Sequence, residues 1–150
     1  MNDAEIVAKV REEHIRLGEI TAALCNALNQ APHCNPDAWL SEVRERFEHF
    51  RAHLIHRIAL EELGGFLQVV TEREPALSGD VENLRRDHER LIERTGMTMQ
   101  RLRALPAKTP QSLRDARVMV EMALAKVRYH EQAENLLVSQ VFNQDTGGEN

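Results

Sequence analysis

Apolar residues recur at three- and four-residue spacing along four long segments of the chain, the period of one face of an α-helix. The first segment, Asp3 to Asn29, carries the stripe Val7, Val10, His14, Leu17, Thr21, Leu24 and Leu28. Pro32 and Pro36 forbid its continuation, and Asp37 is placed to N-cap a second helix on Leu40, Val43, Phe47, Phe50, Leu54, Arg57 and Glu61. Gly64-Gly65 falls inside this pattern, yet apolar spacing resumes at Phe66, Leu67 and Val70. The glycine pair therefore reads as a point of close helix approach within one continuous helix. Glu74-Pro75 and Ser78-Gly79-Asp80 make the next turn, with Ser78 or Asp80 as the cap of a third helix on Val81, Leu84, His88, Leu91, Thr95, Thr98, Leu102 and Leu105. Pro106 and Pro110 close that helix and open a fourth on Leu113, Ala116, Val120, Ala123, Val127, His130, Glu134, Leu137 and Val141.

Four helices of roughly 25 to 35 residues with short connections predict an all-α fold, an antiparallel up-down-up-down four-helix bundle. The bundle is expected to occupy residues 1–142, and the polar residues 143–150 to form a C-terminal tail.

Composition agrees with one globular domain: 150 residues, 42% apolar and 29% charged, with a net charge of −5. Acidic and basic residues are mixed throughout, and without a Lys/Arg block neither nucleic acid nor an anionic membrane is an expected partner. No apolar run approaches the ~20 residues of a membrane span. The opening Met1-Asn2-Asp3-Ala4-Glu5 lacks the basic-then-apolar order of a secretory signal. Cys25 and Cys34 do not make a disulfide framework and read as a core thiol and a loop thiol, which points to the cytoplasm.

Each stripe holds an ionisable residue at a core position: His14 on the first, Arg57 and Glu61 on the second, His88 on the third, and His130 with Glu134 on the fourth. Such groups are seldom buried unless paired or bound to metal. In the predicted bundle they lie about 8 to 15 positions from one common end, roughly 12 to 22 Å at 1.5 Å per residue. All of them thus fall in one layer. Imidazoles and carboxylates converging inside a helical bundle are the donors of a non-haem iron or manganese site, because neutral imidazole offers a lone pair and carboxylates neutralise and bridge cations. His33, His49 and His53 read as flank or surface residues, with His53 in reserve as a ligand. Glu62 is expected to face solvent or a helix seam.

This arrangement resembles the hemerythrin-like (HHE cation-binding) family over nearly the whole chain. The matching segments are His14, His53-Leu54-Ile55-His56-Arg57-Ile58-Ala59-Leu60-Glu61-Glu62, His88, and His130-Glu131-Gln132-Ala133-Glu134-Asn135. Glu61-Glu62-Leu63-Gly64-Gly65-Phe66 and the ending from Asn135 to Asp145 are similar to a bacterial subset. The resemblance implies a four-helix bundle around one or two non-haem irons that binds or senses dioxygen or a related small molecule. It implies ligands His14, His56, Glu61, His88, His130 and Glu134.

Three departures qualify it. Arg57 stands four residues before Glu61 where the family has histidine. Leu84 and Ile92 flank His88, so a second histidine one turn away is missing. Asn135 stands where the family places its last-helix carboxylate. A guanidinium does not ligate metal. Either Arg57 points inwards and its fixed charge replaces the metal in a pairing with Glu61 or Glu134, or a π-bulge between His56 and Glu61 turns His56 in and Arg57 out. Three functions stay open: iron-based binding or sensing of a diatomic molecule; a metal-free interaction or signalling module acting through another protein; and an enzyme acting on peroxide or nitric oxide.

Overall fold

The structure is a computed structural model that describes residues 2–30, 35–106 and 109–143; His33, Cys34 and the tail from 144 onward lie outside the described residues. It is all-helical, with no strand among the described residues. The helices are α1 (Asp3–Leu28), α2 (Pro36–Leu63), α3 (Phe66–Arg73), α4 (Ser78–Ala104) and α5 (Pro110–Val138). A 3₁₀ turn, Pro75–Leu77, precedes α4, and a π turn, Ser139–Asn143, follows α5.

Short polar side chains start α1, α2 and α5, as capping chemistry favours. Asn2 Oδ1 accepts from the Glu5 amide at 2.9 Å while Glu5 Oε2 accepts from the Asn2 amide at 3.2 Å, a reciprocal capping box. Asn35, not Asp37, caps α2: its Oδ1 accepts from the Ala38 amide at 3.1 Å, with Pro36 as first helical residue. Asp37 instead sits in the first turn, where a negative charge meets the helix dipole favourably. Thr109 caps α5 in the same way, followed by Pro110. Neither Ser78 nor Asp80 caps α4; Ser78 is itself helical, and its hydroxyl donates to the Pro75 carbonyl at 2.7 Å.

The glycine pair ends a helix rather than thinning one. α2 stops at Leu63, Gly64 closes it, and Gly65 takes φ +94°, a conformation that costs L side chains and suits glycine. The reversal frees α3 to lay Phe66, Leu67 and Val70 against Val7, Val10, Val81, Leu84, Leu137 and Val141.

Contacts run in opposite order between α2 and α4 and between α1 and α5. Glu13 and His14 of α1 meet His53 and Arg57 of α2, and Arg44, Arg51 and Glu61 of α2 meet α4 at Leu102, Thr95 and His88 in turn. His14 and Leu28 of α1 meet α5 at Glu131 and Arg117. Two apolar clusters result: one at the α3 end, and a larger one around Leu24, Leu40, Phe47, Phe50, Leu54, Leu102 and Val120. Arg57, Glu61, His88, His130 and Glu134, all buried, separate them.

Candidate metal centre

The polar layer follows from helical phase. Residues four apart share a helix face, so the stripe through Phe50 and Leu54 carries Arg57 and Glu61 into the interior. The stripe through Val127 does the same for His130 and Glu134, and that through Leu84 and Leu91 does so for His88. Arg57, Glu61 and His88 have no exposed surface, while His14 is half-buried.

On one side of the layer, ligand atoms of Glu61, His88, His130 and Glu134 all lie within 4.8 Å of one another. Glu134 Oε1 is 2.6 Å from His130 Nε2 and 3.0 Å from His88 Nε2, and Glu61 Oε2 is 3.1 Å from His88 Nε2. The two imidazoles meet edge to face with ring centroids 4.8 Å apart. Their outer nitrogens are directed at more peripheral carboxylates: His88 Nδ1 lies 3.5 Å from Glu62 and His130 Nδ1 3.7 Å from Asp87. Metal-bound histidines take this posture, one nitrogen on the ion and the other facing an orienting acid.

On the other side stands Arg57. Its guanidinium pairs closely with Glu131, lies 3.3 Å from Glu134 Oε2 and 3.5 Å from Glu61 Oε1. His14 joins it, with Nδ1 2.7 Å from Glu131 Oε2 and Nε2 3.3 Å from Glu134 Oε2. With that Nδ1 proton donated to Glu131, the 3.3 Å approach of Arg57 Nη1 to the same nitrogen is a meeting of two donors held by a common carboxylate. Glu61 and Glu134 therefore each present one oxygen to the histidine pair and the other to Arg57. Two bridging carboxylates have a guanidinium at one of their two cation positions.

Three carboxylates thus surround one fixed positive charge, and protons make up the difference. Burial alone would lower the His14 and His88 pKa values, but their carboxylate hydrogen bonds outweigh it. Glu131 and Glu134 raise His14 to about 9, and Glu134 and Glu61 raise His88 to about 10. Burial, with the Glu134 charge, lifts Glu61 to about 7 against the pull of His88 and Arg57. Burial also works to raise Glu134, but Arg57 and the three histidines hold it well below the usual carboxylate range. Burial opposes the charge on Arg57 too, and Glu134, Glu61 and Glu131 reverse that and raise its pKa.

The donor set fits a metal ion. Glu61 Oε2, which faces the histidine pair, is buried without a hydrogen bond of good geometry. Buried polar atoms left so cost about 1–3 kcal/mol each. Ligand atoms about 2.1 Å from one ion stand ~3 to ~4 Å apart, close to the spacing on the Glu61/His88/His130/Glu134 side. The other side also offers His14, Glu131 and Glu134, but the guanidinium is already among them.

Of the ligands expected from sequence, His14, Glu61, His88, His130 and Glu134 meet in this layer and His56 does not. α2 is unbroken α-helix from Pro36 to Leu63, so no π-bulge shifts the phase; His56 is exposed and Arg57 takes the inward position. Sequence reasoning did not single out Glu131 or Asp87. Glu131 sits one residue past His130, off the stripe; the signal for it was Arg57, a buried guanidinium whose five N–H donors call for further acceptors beside Glu61 and Glu134. His53 is a half-buried flank residue: its Nε2 lies 3.1 Å from buried Glu13, and burial lowers its pKa despite that carboxylate. His49 is exposed and Cys25 half-buried. No helix among the described residues is long and apolar enough to cross a membrane. No protein-family model, curated protein or solved structure matches this chain.

Proposed function

We propose that the four long helices form an up-down-up-down bundle of the hemerythrin-like kind that binds one non-haem iron through Glu61, His88, His130 and Glu134. Arg57 supplies the charge of a second ion. The observation that carries this reading is the mutual placement of those four ligand atoms, with both Nε2 atoms on Glu134 Oε1 and both Nδ1 atoms turned to outer acids. Two histidines and two carboxylates suit ferrous iron and leave coordination positions open, so the bound ion would supply a site for dioxygen or a related diatomic molecule. The protein's part is to hold the ligands, keep the layer dry between two apolar clusters, and store protons on His14 and His88 when metal is absent. Binding or sensing in the cytoplasm is the function this supports.

A second reading is favoured by Arg57 itself. With His14 and His88 protonated, the layer is charge-balanced without metal, and the chain would then act as an interaction module.

Chelator-stripped protein titrated anaerobically with Fe(II), then exposed to air, tests both readings. Uptake of one equivalent and an air-dependent visible band that reverses on deoxygenation support the first. Absence of stoichiometric uptake overturns it in favour of the second.

A further inference from the structure

A groove of about 170 Å³ runs between α4 and α5. Its floor is Leu91 and Ala123, both buried, with half-buried Met119. Met97 and Met122 stand at its edges, 45% and 59% exposed. Methionine is flexible and polarizable, and exposed methionines suit surfaces that repack around a partner. The charged residues lining the groove are Arg94, Arg101 and Lys126, and no acid is among them, on a chain whose net charge is −5. Most other basic side chains are engaged: Arg46 pairs with Glu42, Arg85 with Glu82, Arg103 with Glu48, and Arg44 donates to the end of α4. Among the described residues, none of Arg94, Arg101 and Lys126 makes an ion pair.

We propose that this groove docks an acidic amphipathic helix of another protein. Leu91 and Arg101 are ten residues apart on one helix, about 15 Å along its axis, which matches roughly three turns of a docked helix. Apolar anchors at i, i+3/i+4 and i+7 would lie between the methionines, and Asp or Glu on the flanks would meet the three cations, the helix-in-groove mode of recognition. A concave trough between two helices fits such a ligand better than a flat anionic bilayer, which would leave the floor untouched. The inference does not depend on whether metal occupies the centre.

The test is a displayed library of 16-residue helices with leucine fixed at i, i+3 and i+7 and all other positions randomised, selected against the intact protein. The expected result is enrichment of sequences with Asp and Glu flanking the leucines. Their affinity should fall about tenfold or more in the exposed triple variant R94E/R101E/K126E and recover for peptides with Lys in place of Glu. M97S/M122S should weaken both peptide types, with circular dichroism unchanged. Enrichment of neutral or basic sequences, no enrichment, or indifference to the charge reversal would overturn the proposal. So would binding to phosphatidylcholine/phosphatidylserine vesicles that the selected peptides cannot displace.

Discussion

Glu134 Oε2 lies 3.3 Å from Arg57 while its partner oxygen Oε1 lies 2.6 Å from His130 Nε2, so one carboxylate divides its charge between a fixed cation and a histidine able to bind metal. Glu61 is divided likewise between Arg57 and His88. Arg57 is therefore a structural member of the centre, and its removal has two separable consequences.

Arg57→Ala leaves buried carboxylates uncompensated, and breaking a buried ion pair in this way costs about 3–5 kcal/mol. Urea unfolding with chelator present should show that loss. Fe(II) should restore part of it, because binding only the folded state at 100 times Kd adds about 2.7 kcal/mol. Arg57→His should raise uptake from one equivalent towards two, measured by metal analysis; unchanged stoichiometry would mean that the guanidinium does not stand in a cation position.

Removing a ligand should act on the ion, with an added cost in stability because Glu134 and His88 are also buried ion-pair partners. Glu134→Gln and His88→Ala are expected to abolish stoichiometric uptake. Glu62→Ala and Asp87→Asn should lower affinity by about 10- to 100-fold with stoichiometry retained, the usual effect of losing an orienting acid behind a bound histidine. Calorimetric titration distinguishes the two patterns.

The metal-free protein should lose stability as pH rises. His14 and His88 titrate near 9 and 10 when folded against 6.5 for the free side chain, so their contribution is fully present below pH 6.5 and is lost on passing through pH 9 to 10. Glu61, at about 7 when folded against 4.5, binds its proton more tightly in the native state, so its contribution also declines as pH rises from 4.5 to 7. Melting temperatures at pH 5.5, 7.5 and 9.5 with chelator should fall in that order. Metal binding displaces these protons, so Fe(II) affinity should increase over the same range.

Gly65→Ala places a Cβ at φ +94° and should cost roughly 1 kcal/mol. The damage should centre on the α3 end of the bundle, visible as faster amide exchange at Phe66, Leu67 and Val70.

Much of this protein is legible in its sequence because a helix keeps its phase. The spacing of Phe50, Leu54 and Glu61 places Glu61 inside, and the same holds for Val127, His130 and Glu134; Arg57 follows only because α2 runs without the π-bulge that would have turned it out. The Gly64-Gly65 pair was misread because apolar periodicity beyond a break looks like periodicity through it; only the positive φ at Gly65 separates the cases.

What the sequence by itself determined is therefore the helical stretches, apart from the break at Gly65, and the faces they bury, both consequences of local geometry and of the cost of exposing apolar surface. Tertiary structure decided the rest. It set which oxygen of Glu134 meets Arg57 and which meets His130, and it brought Glu131 to Arg57 and left His56 outside. Those outcomes depend on distances between side chains from separate helices, and a buried charge recruits whichever carboxylate the packing brings within reach.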